Sequence, residues 1–181
     1  SDYYPTAAFS RENGTNDSIY IAVERRLSIT EYELRLIATH EIPTSNHSVY
    51  YITSATSGIK YEKPAITIVQ QNTSIPRKIL VTCTRNRNPR YHYSSNSGST
   101  WVIDQLMGTS STVTADFTTC NSDSLTSGGQ NVIMGFVSDD GDSVNVKQLT
   151  IPPSVTYNYY KRNSNTSSGL VAPSTSIYKV G

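Results

Sequence analysis

Apolar and polar residues alternate at period two along most of this chain. In Lys78–Thr84, Ile79, Val81 and Cys83 alternate with Leu80, Thr82 and Thr84. β-branched and apolar residues at that spacing predict a strand buried on at least one side. Thr112–Thr118 repeats the pattern, with Val113, Ala115 and Phe117 on one face, and leads to Cys120. Further strands are predicted over Ser18–Glu24, Val49–Thr53, Ala65–Val69, Thr100–Leu106, Val132–Val137, Val144–Ile151 and Val155–Tyr160. Pro152 and Pro153 separate the last two, because proline cannot donate to a sheet ladder. Leu27–Ala38 fits either a strand or a helix face, and the β-rich context favours a strand. Ser174–Val180 alternates once more. Many short strands with turn signals between them, no strong helix and no internal repeat predict an all-β sandwich.

An apolar segment, Asp2–Ser10, precedes the first long strand, and the polar tract Arg11–Asp17 separates the two. The expected organisation is therefore an arm and linker over 1–17 and a β-sandwich domain over 18–181. An arm of this length spans about 30 Å when extended and is long enough to add as a strand to a neighbouring sheet. Tyr3, Tyr4, Ala7, Ala8 and Phe9 are its candidate donor residues, with Pro5 tolerated only where no acceptor faces it. Ser174–Val180 is the other candidate donor, and packing of either end on its own domain is the alternative.

The two cysteines, Cys83 and Cys120, both fall on or beside strand-like segments. One disulfide between them would contribute about 3–4 kcal/mol in an oxidising compartment, against the alternative of two buried thiols. Asn13, Asn16, Asn46, Asn72 and Asn165 each begin an Asn-x-Ser/Thr sequon in a polar, turn-like stretch. They are expected to carry N-linked glycans, and no other cofactor is implied. The N-terminal Ser1 fits a mature chain after loss of a signal peptide.

The 181 residues carry a formal net charge of +1, and only 16% are charged. That balance argues against a nucleic-acid partner, and no apolar run is long enough for a membrane helix. No catalytic constellation stands out, so no enzyme activity is expected. His40, His47 and His92 lack metal-ligand spacing. Asp139, Asp140 and Asp142 cluster on a turn but without an EF-hand pattern. Arg85, Arg87 and Arg90 read as a solvated loop or a contact for a glycan or a subunit. Ser94–Trp101 resembles one Asp-box of sialidase-type propellers, with Asn96 in place of the usual Asp. A single copy favours a plain Ser/Gly hairpin before a strand that buries Trp101.

The Ser/Thr/Asn/Tyr/Ile-rich composition, sparse charge, clustered sequons, single cysteine pair and N-terminal arm together resemble archaeal thread filament subunits of Sulfolobales. Those are glycosylated pilins, similar in fold to bacterial type 1 pilins and joined head to tail by donor strands. The resemblance implies an immunoglobulin/pilin-like β-sandwich with an extended N-terminal donor strand. It also implies a structural role in an extracellular, pilus-like surface filament for adhesion or biofilm, with other copies of the chain as partners. Chaperone-assembled pilins differ, since Tyr178 is not penultimate and Gly169 is only near the expected place. The alternative is a secreted or viral surface adhesin that binds glycans through Tyr91, Tyr93 or Trp101. A surface poor in carboxylates further predicts stability that is nearly flat between about pH 3 and 7.

Overall fold

The computed structural model describes residues 5–10, 18–40, 47–69, 77–108, 111–122, 131–139, 143–151, 153 and 156–162, the last segment together with residues 9, 10 and 40 as backbone alone. The described residues contain strands and no helix. Four consecutive strands, β1 (Thr6–Ser10), β2 (Ser18–Arg26), β3 (Tyr32–His40) and β4 (His47–Tyr51), form an antiparallel meander. A second meander follows from β5 (Tyr61–Val69), β6 (Lys78–Arg85), β7 (Asn88–Ser94) and β8 (Val102–Leu106). The third comprises β9 (Thr118–Ser122), β10 (Asn131–Val137), β11 (Ser143–Thr150) and β12 (Thr156–Arg162).

The all-β expectation holds, but the architecture has three sheets in series rather than two. Side chains alternate across a strand, so each face of a sheet must find its own cover. Tyr20, Ala22, Leu34 and Leu36 of the first sheet pack on Tyr61, Ile66, Ile68, Ile79, Val81 and Cys83 of the second. The opposite face of the second sheet, through Val69, Leu80 and Tyr91, packs on Val132, Met134, Phe136 and Leu149 of the third. The middle sheet is thus buried on both sides, and β6 is buried at every position but its last. The sheets approach most closely at their first strands, where β5 lies against both β1 and β9. There Ser122 Oγ donates to Ile68 O at 2.7 Å and accepts from Thr67 Oγ1 at 3.0 Å. Three four-stranded meanders fanned around their first strands have the layout of propeller blades. They also form the internal repeat that is not legible in the residues.

Several expectations need correction. Thr112–Thr118 is a loop apart from Thr118, which begins β9; Phe117 is exposed and lies 4.1 Å beneath the Lys63 ammonium. Ala115 is buried within that loop, held by its N–H to Arg87 O at 2.8 Å. The ambiguous stretch is a strand only from Tyr32 onward. Ala7, Ala8 and Phe9 lie on β1, which pairs with β2 of the same chain from Thr6↔Ala22 to Ser10↔Ser18. Tyr3 and Tyr4 lie outside the described residues, as do Asn13, Asn16, Asn46, Asn72, Asn165 and the run Ser174–Val180.

The Cys83–Cys120 disulfide is absent, and both thiols are free. The cause is the pleat: Cys83 points into the core between the first and second sheets, while its neighbour Thr82 shares a face with Tyr91 on the side of the other core, against which Cys120 packs. A bridge would have to cross the middle sheet, beyond disulfide reach. Dithiothreitol is therefore expected to leave the thermal unfolding midpoint unchanged, and unfolding without reductant should expose two titratable thiols per chain. A native bridge would instead give none, and its reduction would cost about 2–5 kcal/mol.

Candidate functional site

The densest chemistry lies on the first-sheet side of the middle sheet. The register of β6 and β7 sets His92 beside Cys83, on the same face, with Nε2 3.3 Å from Sγ. A bulge in the β7–β8 pairing brings Asp104 opposite, and Asp104 adopts φ +59°, a strained conformation for a non-glycine residue. The Asp104 N–H donates to His92 Nδ1 at 3.3 Å. Asp104 Oδ2 accepts from the Tyr61 hydroxyl at 2.8 Å and pairs with Arg85 Nη1 at 3.3 Å. Arg90 Nη1 donates to Asp104 O at 3.1 Å.

This constellation resembles a nucleophile–base pair in composition, but its electrostatics oppose that chemistry. Because Nδ1 accepts the Asp104 amide, the neutral ring carries its proton on Nε2, directed at Cys83 Sγ. The ring therefore has no lone pair available to take the thiol proton. Burial pushes the Cys83 thiol well above its ordinary range, an effect that Asp104 reinforces. Burial also pushes His92 down to about 4, although Asp104 opposes the shift. Cys83 and His92 are both fully buried. At neutral pH the pair is two uncharged groups in a closed core, with neither a thiolate nor a base for covalent catalysis. Cys120 is likewise pushed up to about 12 by burial.

The other candidates resolve into structural contacts. Asn86 and Arg87 have φ of 48° and 67°, a two-residue turn of the type that joins hairpin strands. Arg85, Arg87 and Arg90 therefore sit on one hairpin rather than in a loop, and each meets an acceptor. Arg87 pairs with Asp139 at 2.7 Å and Asp116 at 3.4 Å, while the other two reach Asp104. Asp140 and Asp142 lie outside the described residues, and no group of three or more possible metal ligands occurs among the described ones. Of the histidines, His47 lies on β4 and His40 ends β3, on different strands from His92.

The three aromatics of the adhesin expectation do not share a surface. Tyr91 and Tyr93 stack at 6.5 Å on the third-sheet side of the middle sheet. Trp101 packs on the core at the opposite face, with Nε1 donating to Gly98 O at 2.9 Å.

Ser94–Trp101 is the turn between β7 and β8, the third and fourth strands of its sheet. Asn96 Oδ1 accepts from Thr100 N and Ser94 Oγ, both at 2.9 Å, and Asn96 Nδ2 donates to Thr100 Oγ1 at 2.8 Å. Gly98 has φ +90°, and a Cβ there would lie 3.0 Å from Leu36 Cδ2. Gly98→Ala is expected to destabilise the fold by about 1–3 kcal/mol, since strain and crowding add. Asn96→Asp keeps the acceptors and should change stability by less than about 1 kcal/mol. Urea unfolding of both variants checks the pair.

Among the described residues, the outer face of the first sheet is covered by neither core cluster. Directly paired residues share a face. Ala7, Ile21, Ile37 and Val49 form one unbroken row across its four strands. Ile19 and Val23 flank that row, and none of the six belongs to either core cluster. Val49 and Tyr51 are exposed, at 42% and 61%. One end of the face is closed by charge. Arg25 and Arg35 converge on Glu33 Oε1 at 3.3 and 2.7 Å, and the Arg35 guanidinium lies 4.6 Å over Tyr51. The outer face of the third sheet is mixed: Ile133, Val137, Val144 and Val146 lie around Gly135, with Thr119, Asn121, Asn131 and Gln148 on the same face. Sequence alternation marks these residues as half-buried, but only the sheet order identifies which faces lie outermost.

No protein-family model matches the chain, and no curated protein matches it either.

Proposed function

We propose that this chain is a structural subunit of an extracellular assembly, acting through surfaces that it presents to copies of itself and not through catalysis. The observation that carries this reading is the apolar row Ala7–Ile21–Ile37–Val49 on the outside of the first sheet. Contiguous apolar surface framed by polar groups marks interaction sites. The Cys83–His92 pair supports a non-catalytic reading, because both groups are neutral and enclosed. The sequons and the resemblance to thread filament subunits support a location outside the cell. Joining by a donated N-terminal strand is not part of the proposal, since Thr6–Ser10 already pairs with Ser18–Ala22.

Sedimentation equilibrium of the untreated protein over a wide concentration range tests the reading. A mass that rises above one chain supports it. One chain per particle at every concentration overturns it.

A further inference from the structure

We propose that protonation of His92 releases β8 from the edge of the second sheet, so that the fold carries an acid-triggered opening confined to one strand. The release is independent of the assembly proposed above, since it needs neither a second copy nor the outer face of the first sheet.

An ordinary sheet ladder does not titrate, because each N–H bonds a backbone carbonyl. Between β7 and β8 that ladder is interrupted. Arg90 pairs with Leu106, Tyr91 with Gln105 and Tyr93 with Val102, and the bulge between them leaves His92 without a partner residue on β8. The Asp104 N–H, inside the bulge, bonds the imidazole Nδ1 at 3.3 Å instead. One rung of the sheet is therefore held by a titratable ring. The rest of β8 is lightly secured. Among the described strands it ends the order β5–β6–β7–β8, it is five residues long, and it exposes Val102 and Ile103 at 42% each. Lys147 Nζ donates to Leu106 O at 2.7 Å, so the strand swings out from that tethered end.

Protonation turns this rung into a clash. Neutral His92 carries its proton on Nε2, toward Cys83 Sγ at 3.3 Å, and keeps Nδ1 as an acceptor. The imidazolium donates from both nitrogens, so its Nδ1–H and the Asp104 N–H would face each other. The ring has little room to turn, being fully buried with the Tyr61 ring edge-on at 5.7 Å. The Asp104 backbone moves more easily, since its φ of +59° is strained and departure relieves it. Asp104 also offers the new proton an acceptor, because Oδ1 is buried and makes no hydrogen bond. The surrounding groups bias the two states. Arg90 on β7 and Arg85 on β6 oppose a positive ring, while Asp104 favours it. Cys83 on β6 stays protonated, Tyr61 on β5 gives its hydroxyl to Asp104 Oδ2, and Glu24 on β2 accepts from Lys63 N at 2.8 Å. With two guanidinium groups close by, a charged ring is unfavourable inside the core, and opening β8 lets water reach it.

Hydrogen exchange of the whole chain, followed by mass spectrometry at pH 7 and pH 4, tests the release. Burial holds the ring at about 4 while β8 is closed, and an opened ring returns to about 6.5. The equilibrium constant for opening β8 should therefore rise about 100-fold between the two pH values, after correction for intrinsic exchange. At pH 4, β8 should exchange while β2 and β10 remain protected. His92→Gln gains no proton in this range, so its β8 should open equally at both pH values. Loss of protection in β8, β2 and β10 together means that the chain unfolds as a whole, and overturns the local release. An opening constant for β8 that does not change with pH overturns it, and so does a 100-fold rise that persists in His92→Gln. If His92→Gln does not fold, nuclear magnetic resonance of the His92 ring in the unmodified chain decides. Ring protonation that coincides with loss of β8 protection upholds the release, and either event without the other overturns it.

Discussion

Ile79→Ala and Leu80→Ala are each expected to destabilise the protein by about 2–5 kcal/mol, although they are neighbours on one strand. In a sheet with one wet face, adjacent residues differ: one is core and the other is solvent. Here Ile79 packs in the core against the first sheet and Leu80 in the core against the third, and both are fully buried. Each truncation removes three carbons' worth of buried surface and leaves a void in an interior with few ways to collapse. Urea denaturation reads the two costs directly. A cost below about 1 kcal/mol for either residue would mean that one side of the middle sheet is open, and would restore the two-sheet sandwich.

Acidification from pH 7 to pH 4 is expected to lower stability by about 3 kcal/mol through His92 alone. Burial holds the imidazole at about 4 in the folded chain, with Arg90 and Arg85 adding to the shift and Asp104 opposing it. Its unfolded value is about 6.5. Between those two values the unfolded chain binds a proton that the folded chain refuses, so stability falls as pH falls. The contribution is complete above about pH 6.5 and is lost as pH falls through about 4. Unfolding midpoints in urea across this range would record the slope, and His92→Gln should flatten it. A slope unchanged in that variant would assign the loss to other groups. That slope differs from the flat acid profile expected of a carboxylate-poor surface, and the same urea midpoints decide between the two. A surface count takes no account of one neutral base sealed in the core. On the alkaline side, Cys120 and Tyr20 are both pushed up to about 12 by burial. Their unfolded counterparts lose protons from about pH 9 to 10, so stability should decline there as well.

The sequence by itself determined that the chain is all-β and where most strands run. Period-two alternation is a local property, and it survives most clearly in β2 and β10, each of which turns one face to a core. It also marked the turn at Asn96 and Gly98, whose residues are chosen by local hydrogen bonds and by a left-handed backbone. Only the tertiary structure decided which face of each strand meets which neighbour. The fully apolar run Ile79–Leu80–Val81 is the one local hint of a sheet covered on both sides, and it is equally consistent with a single core. The disulfide expectation failed for the same reason. Two cysteines near strands carry no record of the pleat, and one residue of offset separates Cys83 from the core that Thr82 and Cys120 share. Likewise, β1 alternates and is apolar whether it serves its own sheet or a neighbour's. Its pairing with β2 depends on long-range registry, to which local pattern is blind.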